Sequence, residues 1–190
     1  MKHKKLLESG GKAFQQRAWK DAYQLFSDAD NEYPLSPKNL ELLAAAAYLI
    51  GKSSESNDIW SRAHISYLND GHIERAVRCA FCVGLAFFYK GDYARAGGWF
   101  GRASTLVTEI PSNCVEEGYL LLPVALQALE EDAQTSLATF EKAGQIADRF
   151  KDRDLMALTR LGRGQALVRL GEVQAGGALL DEAMAAVDSG

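Results

Sequence analysis

The sequence is poor in the features that define disulfide-rich, membrane and secreted proteins. Its three cysteines cannot all pair within the chain, so reduced thiols are expected rather than a disulfide framework. Its longest apolar stretch, residues 40–50, is too short to cross a bilayer. The basic start at Met1–Lys5 is not followed by the continuous apolar segment of a signal peptide. We therefore expect a cytoplasmic protein with no membrane partner.

The sequence also lacks an excess of positive charge, and it has few histidines. The formal net charge of −4 has the wrong sign for a surface that neutralises phosphates, so we expect no direct nucleic-acid binding by this chain. With only three histidines, no serine or cysteine stands out as a nucleophile with a suitably spaced histidine. The sequence therefore predicts that the protein is not an enzyme and has no cofactor.

What the sequence does contain is an internal repeat. Residues 84–103 and 164–183 align with Gly84 on Gly164 and Gly91 on Gly171, at a separation of 80. Residues 124–143 lie halfway between them, which gives a period of 40. Two earlier copies, which bring the total to five, are marked by Trp19, Ala22, Phe26, Ala29 and Pro34, and by Gly51, Trp60 and Ala63.

Each copy contains two apolar-periodic segments separated by a glycine or polar turn. This pattern predicts a pair of antiparallel helices. A small residue, Gly84 or Gly164, lets the paired helix approach closely, and a bulky one, Phe100 or Leu180, fills the gap between neighbouring pairs. Each copy is thus expected to supply one large and one small packing partner.

Three local signals predict how individual helices begin or deviate. Ser36 followed by Pro37 predicts an N-cap and a first helical residue. Asn113 with Glu116, after the break at Pro111, resembles a capping box. Pro123 falls inside the first helix of the fourth copy and predicts a kink there, because proline has no backbone N–H to donate.

The copies resemble the tetratricopeptide (TPR) motif. The signature order of small and large residues is carried by Gly84, Phe87, Gly91, Tyr93, Ala96, Phe100 and Ala103. The resemblance implies an all-α, right-handed superhelical solenoid of about five TPR-like antiparallel helix pairs. It also implies a single domain over residues 1–190, with repeats at about 3–36, 37–70, 73–110, 113–150 and 153–190.

A narrower resemblance links the chain to the TPR-like region of bacterial LuxR-type transcriptional regulators. It is carried by residues 78–81, 96–99, 114–123 and 179–184. In that family the helical array senses or holds a partner, and a helix-turn-helix domain binds DNA. No such domain is evident after Gly171, where the sequence is not basic.

Two short sequences are similar to parts of known binding motifs. Gly51-Lys52-Ser53 is similar to the end of a phosphate-binding loop, but Ala46 stands where that loop needs a glycine, so we interpret the motif as a helix-ending turn. Cys79 and Cys82 form a single C-x-x-C inside a predicted helix, and we expect buried thiols rather than a metal or redox site. The adjacent acids are expected to be solvated or to interact with helix ends; they are Glu116, Glu117, Glu130, Glu131 and Asp132.

The first helices of stacked TPR pairs line a concave groove, which is where we expect a protein or peptide partner. The resemblance places these residues on that surface: Glu41, Tyr48, Arg78, Phe81, Leu85, Phe88, Leu121, Gln165 and Arg169. Tyr48, Phe81 and Phe88 would act as aromatic anchors, and Arg78 or Arg169 would hold polar ends. The alternative is that Phe81, Leu85 and Phe88 pack against neighbouring helices.

The last predicted helix carries an apolar set with no further helix to cover it: Leu179, Leu180, Met184 and Val187. Solenoid ends normally carry a polar cap. We therefore expect either that the natural chain continues or that two copies associate as a homodimer through this end.

The leading functional hypothesis is the sensory or interaction region of a bacterial transcriptional regulator, without its DNA-binding domain in this chain. The main alternative is a stand-alone TPR adaptor or co-chaperone that uses the same groove. A hydrolase based on the acidic helix ends is a third and more distant hypothesis, because two carboxylates become an acid and a base only in a shared pocket.

Overall fold

The computed structural model describes residues 2–110 and 113–189, with side chains described as far as residue 185. Ten α-helices account for the regular structure of these residues. They are α1 (Lys2–Gln15), α2 (Trp19–Glu32), α3 (Pro37–Leu49), α4 (Ser53–Asn69), α5 (Ile73–Tyr89), α6 (Tyr93–Val107), α7 (Glu116–Ala128), α8 (Ala133–Phe150), α9 (Arg153–Arg169) and α10 (Val173–Ser189). The predicted all-α fold of paired helices is confirmed.

The chain divides into two compact units, Met1–Glu109 (unit 1) and Ile110–Gly190 (unit 2). Unit 1 contains the pairs α1/α2, α3/α4 and α5/α6, and each pair packs on the next through α2 on α3 and α4 on α5. Unit 2 contains α7/α8 and α9/α10, joined through α8 on α9. The single domain expected over residues 1–190 stays a prediction.

Left-handed glycines reverse the chain at four of the turns between helices. Gly51, Gly71, Gly91 and Gly171 have φ of +83°, +75°, +75° and +87°, a region that side chains disfavour. The turn at Gly51 separates the end of α3 from the start of α4, so Gly51-Lys52-Ser53 is a helix-ending turn as expected.

The helix start predicted at Ser36 and Pro37 is confirmed, since α3 begins at Pro37 with Ser36 as its N-cap. α7 runs through Pro123, and the kink expected there stays a prediction. The capping box expected from Asn113 and Glu116 was wrong. α7 begins at Glu116 after an N-cap at Val115, and Asn113 takes a left-handed φ of +84°. The Asn113 backbone N–H donates to Glu117 Oε1 over 3.3 Å, which replaces the reciprocal bonds of a capping box. Pro111 lies outside the described residues.

The close approach predicted at Gly84 and Gly164 is confirmed, but Phe100 and Leu180 contact the glycine of their own pair and were predicted to lie between neighbouring pairs. A Cβ atom placed on Gly84 would lie 2.6 Å from Phe100 Cε1, and one on Gly164 would lie 2.9 Å from Leu180 Cγ. These distances are shorter than side-chain contacts allow, so only glycine permits the approach of α5 to α6 and of α9 to α10. In unit 2, Phe140 of α8 packs in the same way against Gly162 of α9, and thereby joins one pair to the next.

A buried histidine joins α4 to α5 in unit 1. His64 is almost fully buried, and its Nδ1 lies 2.8 Å from the carbonyl oxygen of Ala76. Because a carbonyl can only accept, Nδ1 carries the ring proton. Nε2 is buried with no hydrogen-bond partner among the described residues, and the ring meets Trp99 edge-on at 5.4 Å between centroids. Burial therefore lowers the pKa of His64, and the nearby Arg102 lowers it further, against the opposing bond to Ala76.

The lowered pKa of His64 predicts a loss of stability in mild acid. The unfolded chain takes up a proton near the ordinary value of 6.5, whereas the folded chain resists it, so the stabilisation is complete above that pH and declines below it. We expect the free energy of unfolding, measured by urea titration, to be lower at about pH 5.5 than at about pH 7.5. His64→Gln, which keeps a donor for Ala76, should flatten this dependence. His72→Gln, which changes an exposed histidine, should leave this pH dependence as it is in the wild type. If the free energy of unfolding of His64→Gln fell between about pH 7.5 and about pH 5.5 as much as that of the wild type, the pH dependence would not come from His64.

Candidate functional site

Four aromatic residues form an exposed group at the ends of the first helices of unit 1. Tyr48 at the end of α3 is 57% exposed, Tyr89 at the end of α5 is 65% exposed, and Tyr93 at the start of α6 is 66% exposed. The half-buried ring of Phe88 lies between the last two, with centroids 5.9 Å from Tyr89 and 5.4 Å from Tyr93. We call Tyr48, Phe88, Tyr89 and Tyr93 the aromatic patch.

The turn between α5 and α6 places three of these rings together. α5 ends at Tyr89 because Gly91 adopts a left-handed conformation, in which its N–H donates to the Phe88 carbonyl over 2.9 Å. Asp92 then caps α6, its side chain accepting from the Arg95 N–H over 3.1 Å. Tyr93 follows as the first helical residue, and its ring meets Phe88 nearly edge-on.

Tyr48 belongs to the same group through its effect on Tyr89. The pKa of Tyr89 is raised, first because its hydroxyl is partly withdrawn from water and then because the Tyr48 phenol is nearby. The Tyr89 phenol is therefore neutral at ordinary pH. The patch offers ring faces together with hydroxyl groups that donate and accept hydrogen bonds.

A polar cluster lies on the same first helices but is internally satisfied. The Glu41 carboxylate of α3 accepts a hydrogen bond from Arg75 of α5, and Cys79 Sγ lies 3.9 Å from Glu41 Oε1. The Arg75 guanidinium also sits over the Tyr67 ring at 5.8 Å. Glu41 therefore ties α3 to α5, and its carboxylate already has a cationic partner. Burial raises the pKa of Cys79, so this residue stays a thiol and is not an activated nucleophile.

The other predicted groove residues of unit 1 differ in exposure. Phe81 is only 3% exposed and packs on Phe100 with centroids 6.2 Å apart, so the packing alternative applies to Phe81. Arg78 and Leu85 are half-buried. Of the three predicted aromatic anchors, Tyr48 is exposed, Phe88 is half-buried and Phe81 is a core residue.

Unit 2 also contains predicted groove residues. Leu121 on α7 is half-buried, and Gln165 and Arg169 on α9 are exposed. Arg169 forms an ion pair with Glu130, so its charge is partly neutralised within the unit. These residues have no exposed aromatic group beside them comparable with the aromatic patch of unit 1.

The predicted dimer end is only partly exposed. Leu179 and Leu180 are half-buried, because Leu180 packs against Gly164 of α9. Met184 is exposed, and the side chain of Val187 lies outside the described residues. Association of two copies through this end stays a prediction.

The structure also shows the surroundings of the cysteines and of the acidic residues considered for chemistry. Within residues 2–110 and 113–185 no group of three or more His, Cys, Asp or Glu side chains is arranged to hold a metal. Cys79 and Cys82 lie inside α5 and form no disulfide. Asp132 caps α8, and hydrogen bonds from Thr135 lower its pKa. Glu130 is engaged by Arg169. None of the helices described here is both long and apolar enough to cross a membrane.

Sequence reasoning missed Tyr89, Tyr93 and Arg75 as surface residues. Tyr93 was assigned only to the packing signature of the repeat, and Tyr89 lies directly after the predicted anchor Phe88. The turn at Gly91 was the available signal, since residues on either side of a tight turn lie close together. Arg75 gave no such signal, because its partner Glu41 is on another helix.

No protein-family model matches the chain, and no curated protein matches its sequence. Solved structures do match its fold. BtubC (BKLC) from P. vanneervenii matches with a TM-score of 0.60 at 15% identity, over 95% of this chain and 77% of BtubC. A variant of nearly identical TPR-like repeats from a putative kinesin light chain of Podosopora anserina has a TM-score of 0.58 at 13% identity, with coverages of 96% and 93%. Apo PlcR from Bacillus thuringiensis has a TM-score of 0.59 at 14% identity, with coverages of 92% and 69%.

These neighbours identify the class of fold. Identities of 13–15% are too low to transfer a function, but the similarity extends over nearly the whole chain. The chain therefore has a TPR-like helical-repeat fold, as the repeat in its sequence predicted.

Proposed function

We propose that the chain binds a protein or peptide partner through the aromatic patch of unit 1. The observation that carries this proposal is the exposure of three tyrosines: Tyr89 and Tyr93, which contact Phe88, and Tyr48, which lies near Tyr89. Clustered exposed aromatic rings are uncommon on a surface with no partner. Tyrosine is well suited to the task, because it buries a large area and loses little conformational entropy.

The partner expected at the patch presents apolar side chains next to polar backbone groups. The rings of Phe88, Tyr89 and Tyr93 already contact one another, so part of the binding surface is ordered before a partner arrives. The phenol hydroxyls can bond to peptide carbonyl groups at the edge of the contact. The Glu41 carboxylate is not free for a cationic partner, because such a partner would have to displace Arg75.

Selection from a displayed library of random linear peptides tests the patch. Peptides enriched on the wild-type chain should bind the double variant Tyr48→Ser/Tyr89→Ser at least tenfold more weakly, which corresponds to about 1.4 kcal/mol. Tyr33→Ser is the matched control, because Tyr33 is 68% exposed but lies at the end of α2 and contacts His3 instead. Equal affinity of the double variant and wild type, with both folded by circular dichroism, would reject the patch as the binding surface.

We further propose that the chain is the interaction region of a bacterial LuxR-type transcriptional regulator. This proposal rests on the resemblance of residues 78–81, 96–99, 114–123 and 179–184. Sequencing of the natural reading frame beyond Gly190 tests it directly. A helix-turn-helix segment there would support the regulator, and a stop codon would favour the stand-alone adaptor or co-chaperone.

A further inference from the structure

An open pocket lies on α6 of unit 1, and none of the residues that line it belongs to the aromatic patch. This cavity of about 350 Å³ is lined by Ala94, Arg95, Gly98, Trp99 and Arg102. All five residues belong to one helix, and Arg95, Gly98 and Arg102 are exposed. We infer that this surface binds an acidic helical segment of a partner protein.

The two arginines are held in place before any partner binds. The Arg95 guanidinium lies over the Phe87 ring at 4.5 Å and bonds to Asp92 Oδ2 over 2.5 Å. The Arg102 guanidinium lies over the Trp99 ring at 4.7 Å. A guanidinium that is already ordered loses less entropy when it binds a carboxylate, and its planar donors suit a bidentate contact.

The local charge is positive although the chain is acidic. Arg95 is balanced by Asp92, but no described carboxylate is paired with Arg102, so the two arginines and one aspartate leave a formal +1 on this surface. The whole chain carries −4. An acidic partner is therefore attracted to this surface.

The space between the arginines suits a helix. Arg95 and Arg102 are seven residues apart, which is about 10.5 Å along α6. Gly98 is exposed between them on the same face of α6, and a Cβ atom on it would meet nothing within 4 Å. The chain's own packing thus does not require this glycine, although it weakens the helix by about 1 kcal/mol relative to alanine. The missing side chain lets another backbone approach closely.

The direct test uses an alanine-based helical peptide of about 20 residues with glutamates seven positions apart. The probe should bind with a Kd below about 1 mM and should shift the Trp99 indole N–H signal in the NMR spectrum, more than those of Trp19 and Trp60. A peptide with glutamine in place of each glutamate should bind at least fivefold more weakly. Equal binding of the two peptides, or no shift at Trp99, would overturn the proposal.

Variants of this surface give an independent result. Arg102→Gln should weaken binding of the glutamate peptide at least fivefold. Lys20→Gln, which removes an equal charge from an exposed position of α2, should leave that binding unchanged. Gly98→Leu should keep or raise thermal stability but block the peptide, because the new side chain fills the cavity. The double variant Tyr48→Ser/Tyr89→Ser should bind the glutamate peptide normally, so this surface is tested apart from the aromatic patch. Arg102-dependent binding to anionic phosphatidylserine vesicles without binding to the peptide would contradict the proposed partner.

Discussion

Phe140→Ala is expected to lower the free energy of unfolding of unit 2 by about 3–5 kcal/mol. Phe140 is 1% exposed, and its ring lies against Gly162, where it fills the space between α8 and α9. Removing the ring loses its buried area and leaves a cavity that two rigid helices cannot close easily. Urea unfolding followed by circular dichroism measures the change.

Phe150→Ala is the matched control for this change. Phe150 ends the same helix but is 38% exposed, so the same truncation should cost only about 1–2 kcal/mol. If both variants lost the same stability, the proposed role of Phe140 in joining the two pairs of unit 2 would be incorrect.

Gly162→Ala is expected to destabilise unit 2 by about 1–3 kcal/mol, although alanine normally favours a helix over glycine. The added Cβ atom would overlap Cε1 and Cζ of the Phe140 ring, so either the ring or α9 must move. The second change Phe140→Leu should recover part of the loss, because a smaller side chain makes room for the methyl group. The two changes should therefore be non-additive in a double-mutant cycle.

Gly144→Ala supplies the opposite expectation in the neighbouring helix. A Cβ atom there would lie 3.7 Å from Thr159 Oγ1, which is an ordinary contact, so stability should stay the same or rise by up to about 1 kcal/mol. Stabilisation by Gly162→Ala of the same size as by Gly144→Ala would show that the close approach of α8 and α9 is not a constraint.

The helical fold could be predicted because the small and bulky residues of the repeat recur at regular spacing. Gly84 and Gly164 are followed 16 positions later by Phe100 and Leu180, and the structure places each glycine against its bulky partner. The packing partner of Phe140 was harder to predict. Val124 stands at the corresponding position upstream, and Phe140 packs against Gly162 in the next pair.

The candidate site was only partly predictable, since exposure depends on contacts between helices. Tyr48 and Phe88 were expected at the surface from their place in the repeat, and Phe81 was expected there by the same count. Phe81 is instead covered by Phe100, so one helical face holds both core and surface residues. Glu41 was assigned to a partner, but Arg75 on a different helix neutralises it. A single sequence does not reveal such pairing.

The prediction of a capping box was wrong because two backbone conformations compete at Asn113. Asn113 and Glu116 have the spacing of a capping box, but Asn113 also tolerates a left-handed conformation better than most residues. The chain adopts that conformation and starts α7 at Glu116. Where glycine takes the same role, as at Gly91, the turn was predictable because no competing conformation is favoured.

Amide hydrogen exchange of the chain, with and without a library-selected peptide, tests the central claim most directly. The aromatic patch predicts slower exchange on peptide binding at the end of α3 around Tyr48 and across the turn from Phe88 to Tyr93. Slowing confined to α9 and α10, with no change across that turn, would contradict the claim that unit 1 carries the partner-binding surface.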